Sequence, residues 1–411
     1  MRKNVICIMA VMLSAVSFLT GCGSSTVAAN MELAQTSVSA ITVPEDVLVV
    51  GLGESSHGVK EYQEMKAEVF QALVENNGCR TFVIEGDFGS ALKVDDYIHG
   101  GEGTAKEAAA QIGFRIYRTE EMANLIQWMR TYNETAAEGE DLHFYGMDMQ
   151  QADNSKSYVF HILEQINPDI SAKYREALAF LNDDAMFDIS ADAFEHGMLV
   201  AEKLIQEVDN SGERIVEIFG NEAYAYAREC ARSIYNCCDI RKSDSAYNAV
   251  RDRHMAEKIQ WYVERGDGSV IFINGHNGHI GKVNATPYYD CLGKLLAEKL
   301  GNGYYAIGTD AEVTVFNSQT NGGFEELKVK NQNSLNALVS GIAQNYYYID
   351  FSAAAEDDNW NKIISDKQRI TALNVTGATM MKVFYTTEVI PKDTFDSMIV
   401  FGKVSPTTLE Q

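Results

Sequence analysis

The chain has 411 residues with 46% hydrophobic content, enough to bury a large core or two moderate ones, and only five prolines, which suits long helices. Its 34 basic residues against 58 acidic ones give a formal charge of −24, so it repels nucleic acid and anionic headgroups alike. With seven cysteines, two of them adjacent at Cys237 and Cys238, a disulfide framework is not indicated, and the cysteines read as small buried residues.

The first 22 residues carry an export pattern. Arg2-Lys3 supplies a positive start, Val5 to Leu19 is almost wholly apolar, and Leu19-Thr20-Gly21-Cys22 closes it with small residues. The run is short for a transmembrane span. Leu-Thr-Gly-Cys resembles the bacterial lipoprotein signal, which implies removal of 1–21 and lipidation at Cys22. That processing would leave a charge of −26, so membrane contact is expected through lipid alone. The Ser-, Thr- and Ala-rich stretch that follows, to about residue 43, is expected to be a flexible tether.

Residues 44–150 alternate strand and helix. Val47-Leu48-Val49-Val50 runs into Gly53-Glu54-Ser55-Ser56-His57-Gly58. Tyr62, Met65, Val69, Phe70, Leu73 and Val74 then mark the core face of a helix. Phe82-Val83-Ile84 ends in Glu85-Gly86-Asp87, and Phe144-Tyr145-Gly146-Met147 ends in Asp148, with helices expected at about 88–97 and 119–133. From 151 to 249 the strand signal disappears in favour of amphipathic helical spacing. This predicts a helical insertion that forms a wall or lid over the ligand site. The second part of the core, 250–411, resumes with strands at 269–273, 304–308, 312–316 and 397–401. A loop is expected over 318–333, and a further strand is possible at 381–388. Together these elements predict an α/β fold with a mostly parallel central sheet flanked by helices.

In an open parallel sheet the ligand site lies beyond the carboxyl ends of the strands, and there the sequence places its ionisable residues. The strand-to-helix turn carrying His57 makes it a candidate general base, since histidine titrates near neutrality. Glu85, directly after Phe-Val-Ile, should be partly buried and in need of a partner. Lys66 interrupts the apolar stripe of its helix and should reach Glu54 or Glu85. His276 and His279 follow the strand at 269–273, although one His-x-x-His pair is weak evidence for zinc, which needs a third ligand. Arg251 and Arg253, at the start of a helix where cations are unfavourable, point to an anionic or carbonyl partner. A nucleophile elbow, a P-loop and a dinucleotide glycine fingerprint are all missing from the sequence.

These motifs resemble the erythromycin esterase family, which includes proteins labelled succinoglycan biosynthesis proteins. The resemblance rests on residues 53–61, on Val83-Ile84-Glu85-Gly86-Asp87, on Tyr145-Gly146-Met147-Asp148, on Val250-Arg251-Asp252-Arg253-His254-Met255-Ala256 and on Gly275-His276-Asn277-Gly278-His279, with a weaker match at Val404-Ser405-Pro406. It implies metal-independent hydrolysis of an ester or macrolactone, with no cofactor and no protein partner. His57 would be the base, Glu54 and Glu85 would orient the histidines and the water, and His276 would polarise the carbonyl or protonate the leaving alkoxide. Lys66, Asp87, Asp148, Arg251, Arg253 and His279 would face the substrate. The chain departs from the family at Lys66, where an arginine is usual, and at Phe114-Arg115-Ile116-Tyr117-Arg118, which lacks the usual tryptophans. Two other readings use the same residues: a haem- or small-ligand-binding lipoprotein on a related fold, with Tyr and His ligands, and a metal-dependent hydrolase.

Overall fold

The computed structural model describes residues 29–266, 268–320, 322–373 and 385–409. The export segment, Cys22 and the start of the expected tether lie outside these residues. The described part of the tether is packed rather than free. Gln35 exchanges backbone hydrogen bonds with Tyr348 (2.8 and 2.7 Å), and Val38 and Ile41 are buried. Apolar residues spaced among Ser and Thr are enough to dock this segment, which composition alone had assigned to a linker.

The first strands and helices appear as expected as β1 (Val49–Glu54), α1 (Lys60–Asn77), β2 (Thr81–Asp87), α2 (Phe88–Ile98), α4 (Glu120–Asn133) and β3 (His143–Asp148), and a further short helix, α3 (Ala105–Gln111), lies between α2 and α4. Helices α5 (Asp153–Ile166), α6 (Pro168–Ala177), α7 (Ala191–Asn210), α8 (Gly212–Lys242) and α9 (Tyr247–Arg265) follow without a strand. The sheet resumes at β4 (Ile271–His276), passes through the short α10 (Asn277–Ile280) and α11 (Leu292–Leu300), and continues in β5 (Tyr304–Thr320), β6 (Gly323–Lys330) and β7 (Tyr346–Asp350). A two-stranded antiparallel ribbon of β8 (Gln368–Thr371) and β9 (Thr386–Val389) precedes β10 (Ser397–Val404).

The strand order is β3-β2-β4-β1-β5-β10-β7, parallel from β3 through β10 with β7 antiparallel at the edge. Each sheet face has its own core because successive side chains point to opposite sides. Val50, Leu52, Phe82, Ile84 and Phe272 pack with α1 and α4, whereas Val83, Met147, Ile271 and Ile273 pack with α5, α7, α8, α9 and α11. The connection after β1 therefore runs on one face and that after β4 on the other, which is the doubly wound arrangement.

The helical insertion is the covering layer of one sheet face, not a lid resting on top. Val159, Leu163, Leu204 and Ile234 belong to the same buried cluster as the strand residues. The helix that follows the insertion, α9, brings its first turns to the carboxyl edge.

Two further expectations differ from the structure. The strands expected at 304–308 and 312–316 are one continuous β5, and the loop expected over 318–333 contains β6, paired antiparallel to 313–320. Phe324, Leu327 and Val329 pack against the core while the Glu and Lys residues between them face outward. The Asn-Gly-Gly sequence at 321–323 is a hairpin signal as much as a loop signal. Of the strand expected at 381–388, residues 386–388 are present in β9 (Thr386–Val389), and 381–384 lie outside the described residues.

Candidate active site

Register brings the ionisable residues together before any side chain is considered. In the β1–β4 pair, Gly53 lies opposite Gly275 and Glu54 opposite His276, while Ile84 of β2 is level with Asn274 of β4. Two glycines make the crowding tolerable. A Cβ on Gly53 would sit 2.2 Å from Asn277 Oδ1, and one on Gly275 would sit 3.0 Å from Glu85 Oε2. Gly58, at φ 72°, turns the chain from β1 into α1, and a Cβ there would also meet the Asn317 carbonyl at 2.4 Å.

His57 and Glu54 form the first unit. The Nδ1–H of His57 donates to Glu54 Oε1 at 2.7 Å, with both residues buried. The neutral ring therefore has its unprotonated nitrogen at Nε2. The other oxygen of Glu54 lies 3.6 Å from Lys66 Nζ, an ion pair longer than a hydrogen bond, and Lys66 is fully buried with its ammonium 5.5 Å from the Tyr117 ring centroid. Burial opposes ionisation of Glu54, but Lys66 and then His57 outweigh it and hold the carboxyl below its usual range. Burial likewise draws the Lys66 ammonium below its ordinary value, with Glu54 opposing.

Glu85 links this unit to a second one. Its Oε2 accepts the backbone N–H of His276 (2.9 Å), and its Oε1 accepts from Arg251 Nη2 (2.7 Å). Arg251 also clamps Asp148 through Nε (3.1 Å) and Nη2 (2.7 Å), and its Nη1 lies 3.0 Å from His279 Nε2. The Nδ1–H of His279 in turn donates to Asp252 Oδ1 at 2.6 Å. Burial alone would raise the Glu85 pKa. The charges of His279 and Arg251, and more weakly of His57, reverse that and keep it well below the carboxylate range.

His276 has a different environment. Its ring lies 5.4 Å from that of His57, centroid to centroid. The Gly278 N–H donates to Nδ1 (3.1 Å), so the proton of the neutral ring is on Nε2, which is buried without a protein partner among the described residues. Burial, followed by the charge of His57, pushes the His276 pKa down to about 4. A proton acceptor on His57 and a free donor on His276 thus stand side by side.

Three expected residues fall elsewhere. Asp87 is the N-cap of α2, accepting from the backbone N–H (2.8 Å) and hydroxyl (2.9 Å) of Ser90, so it is tied up in local structure. Arg253, two positions after Arg251 and hence on the other side of α9, is half exposed and pairs with Asp239 (3.4 Å). His279 stands behind Arg251 and Glu85 as part of their support. Ser55 and Ser56 are also structural: Ser55 Oγ is hydrogen-bonded to the Tyr62 hydroxyl (2.8 Å), and Ser56 Oγ donates to the His57 carbonyl (3.0 Å). Sequence reasoning gave no role to Asp252 or Tyr117. Asp252 sits inside the quoted Arg251–His254 motif, and the Tyr117 hydroxyl donates to the Glu85 carbonyl at 3.0 Å.

Two predictions arise here. Replacing Lys66 with methionine removes the charge that most lowers the Glu54 pKa, so ionised Glu54 is lost at higher pH. The acid limb of the rate profile should move up by about 1–3 pH units, the range for losing a close opposite charge. Lys66→Arg should restore most of it, and identical profiles for wild type and Lys66→Met would break the link between the two residues. Burial pushes the Asp87 carboxyl up to about 7, far above the ordinary carboxylate range. A carboxyl with a raised folded pKa stabilises the fold below the unfolded value, and this is lost as pH rises to the folded one. Asp87→Asn, which still caps a helix, should therefore flatten a stability loss of roughly 4 kcal/mol at most between pH 4 and 7. Urea midpoints across that window would check it, and parallel curves for the two proteins would refute it.

An α/β protein with a histidine–carboxylate cluster at the carboxyl edge of a doubly wound sheet is the class that this fold and site define. The erythromycin esterase family profile matches residues 74–404, and the chain belongs to that family. Erythromycin esterase type II of Escherichia coli is 24% identical over 359 residues, covering 76% of this chain and 82% of that protein. YbfO of Bacillus subtilis strain 168 is 23% identical over 289 residues, covering 63% and 64%. Among solved structures, a protein of Bacillus cereus superposes with a TM-score of 0.76 at 23% identity over 89% of this chain and 91% of that one. The erythromycin esterase EreC in its open conformation superposes with a TM-score of 0.64 at 15% identity over 89% and 93%. At these identities the structural likeness speaks for the fold.

Proposed function

We propose that this protein hydrolyses a carboxylic ester or lactone, with His57 activating water. The observation that carries the reading is a pair of histidine rings 5.4 Å apart, one with its Nδ1–H held by Glu54 so that Nε2 is an acceptor, the other, His276, with a buried Nε2 that has no protein partner among the described residues. His57 Nε2 takes a proton from water as the hydroxide oxygen bonds to the carbonyl carbon, and the His276 Nε2–H stabilises the developing oxyanion. The proton then passes from His57 to the leaving alkoxide as the C–O bond breaks. Of the two roles open to His276, polarisation fits better, because a ring that titrates near 4 carries no imidazolium to donate at neutral pH. Glu85 and the Arg251 network hold the His276 backbone in place.

The metal-dependent reading is less favoured by the donor set. Both carboxylates at the site already have a buried protein cation beside them, Lys66 for Glu54 and Arg251 for Glu85, and a divalent ion would meet that positive charge. Haem ligation by tyrosinate is opposed by burial, which pushes the Tyr117 and Tyr62 phenols well above their ordinary range.

The substrate panel that tests the reading contains aryl and alkyl esters, small lactones and macrolactones, assayed with and without EDTA. Hydrolysis of at least one member, undiminished by chelator, is expected. Loss of activity in EDTA restored by zinc would favour the metal-dependent reading, and inactivity on every ester and lactone would overturn the proposal. We also assign the enzyme to the outer side of the cell membrane, held by lipid on Cys22, from the Leu19-Thr20-Gly21-Cys22 motif. Mass spectrometry of the mature N-terminus should find a lipidated Cys22. An unmodified N-terminus at another residue would remove that assignment.

A further inference from the structure

At the opposite, amino end of the sheet, Asp95, His99 and His143 form a second cluster that the hydrolytic site does not use. Each offers a ligand atom within 4.8 Å of the other two. We propose that this cluster binds a divalent transition-metal cation of the Zn²⁺ type.

Two elements deliver the three ligands. Asp95 lies in the last turn of α2, His99 is the residue that caps that helix, and His143 opens β3. The carboxyl end of a helix is the negative end of its dipole, so a cation is favoured there. Each ligand is also held from behind. Asp95 Oδ1 accepts the Phe144 N–H (2.8 Å). The Nδ1–H of His99 donates to the Asp95 carbonyl (2.7 Å), which leaves its other nitrogen unprotonated and available. A ligating histidine is commonly held in this way, with one ring nitrogen donating to a carbonyl. The His143 ring stacks on Tyr145 at 5.5 Å and 10°, and its Nδ1 is buried, has no hydrogen-bond partner among the described residues and lies 3.5 Å from Asp95 Oδ1. The two imidazole rings are 4.9 Å apart, centroid to centroid.

Two imidazoles and one carboxylate form a nitrogen and oxygen donor set suited to Zn²⁺, Co²⁺, Ni²⁺ or Cu²⁺, with one tetrahedral position left open. His143 also lines a cavity of about 240 Å³ together with Thr81, Tyr145, Tyr262 and Arg265. A tetrahedron with bonds near 2.0–2.1 Å has ligands about 3.4 Å apart. Binding must therefore draw the cluster inward, and His99, the exposed member at a helix end, is free to supply that movement. The site is separate from the hydrolytic one, since Asp148 lies at the far end of β3, roughly 16 Å along the strand.

Calorimetric titration of the full chain with Zn²⁺ at pH 7.5, together with Co²⁺ visible spectra, tests the proposal. One equivalent of Zn²⁺ should bind to the wild type and to His57→Ala. His99→Gln should weaken binding by roughly 10²-fold or more, since even loss of an outer-shell partner costs up to that much. Zn²⁺ should raise the melting midpoint of the wild type and leave that of His99→Gln unchanged. His99 is exposed, so this variant is expected to fold, and circular dichroism without metal would check it. Asp95→Asn gives an independent second loss of a ligand. Unchanged affinity in both variants, no bound equivalent in the wild type, or loss of binding in His57→Ala would each overturn the assignment.

Discussion

His57→Ala is expected to lower hydrolysis of any ester that the wild type accepts by roughly 10²- to 10⁴-fold in kcat, the range for losing a general base. The loss should fall on kcat more than on KM, because the ring acts on water in the transition state. Folding should change little: the residue sits at a turn, and its one side-chain bond is to a Glu54 that Lys66 also neutralises. Glu54→Gln should reproduce part of the effect, since an amide oxygen can still orient the ring but cannot stabilise the imidazolium that forms. Steady-state rates on one good ester, with thermal midpoints measured in parallel, would separate chemistry from folding. Full activity in His57→Ala would remove this histidine from the mechanism.

Arg251→Met is expected to be the most damaging single change to the fold around the site. It strips one buried guanidinium from Glu85, Asp148 and His279 together. Breaking a buried ion pair from one side costs roughly 3–5 kcal/mol, because the uncompensated charge remains behind. Two carboxylates are left here, so the upper end applies at neutral pH. Part of the loss should be recovered in acid, where protonation of Glu85 and Asp148 removes the stranded charge. Arg251→Lys keeps the charge but not the fork that grips Asp148 twice, and should be intermediate. A urea unfolding series at pH 5 and pH 8 would measure both effects, and a loss under about 1 kcal/mol at both would show that the clamp is not what holds this edge together.

Much of the site was legible because its residues sit directly after hydrophobic runs. Val47–Val50, Phe82–Ile84, Phe144–Met147 and Val270–Ile273 can only be buried strands, and parallel strands bring their carboxyl ends to one edge. Glu54, Glu85, Asp148 and His276 follow from that. The burial of Lys66 was legible too, as a cation on an apolar stripe. Less legible were the elements whose pairing is non-local. β6 has exposed charges on alternate positions and reads as loop until Val313–Thr320 lies beside it, and the Ser- and Thr-rich stretch at 34–43 reads as tether until Tyr348 offers it a backbone partner. Asp87 and Arg253 were misassigned for a different reason. Spacing placed them near the edge, but a local helix cap claimed the first, and the 100° step of the helix turned the second toward Asp239.

By itself the amino-acid sequence determined the class of fold, the edge at which the ionisable residues gather and which acids and bases stand there, because all three depend on local periodicity and on the residues that end each strand. Only the tertiary structure decided which of those groups touch. Protonation and tautomer depend on contacts that the fold makes, one within a tight turn and others across the chain: Gly278 beneath His276, Lys66 beside Glu54, and Arg251 bridging Glu85 and Asp148 across more than 100 positions. A histidine becomes a base or a donor according to what its other nitrogen meets, and that partner is chosen by packing.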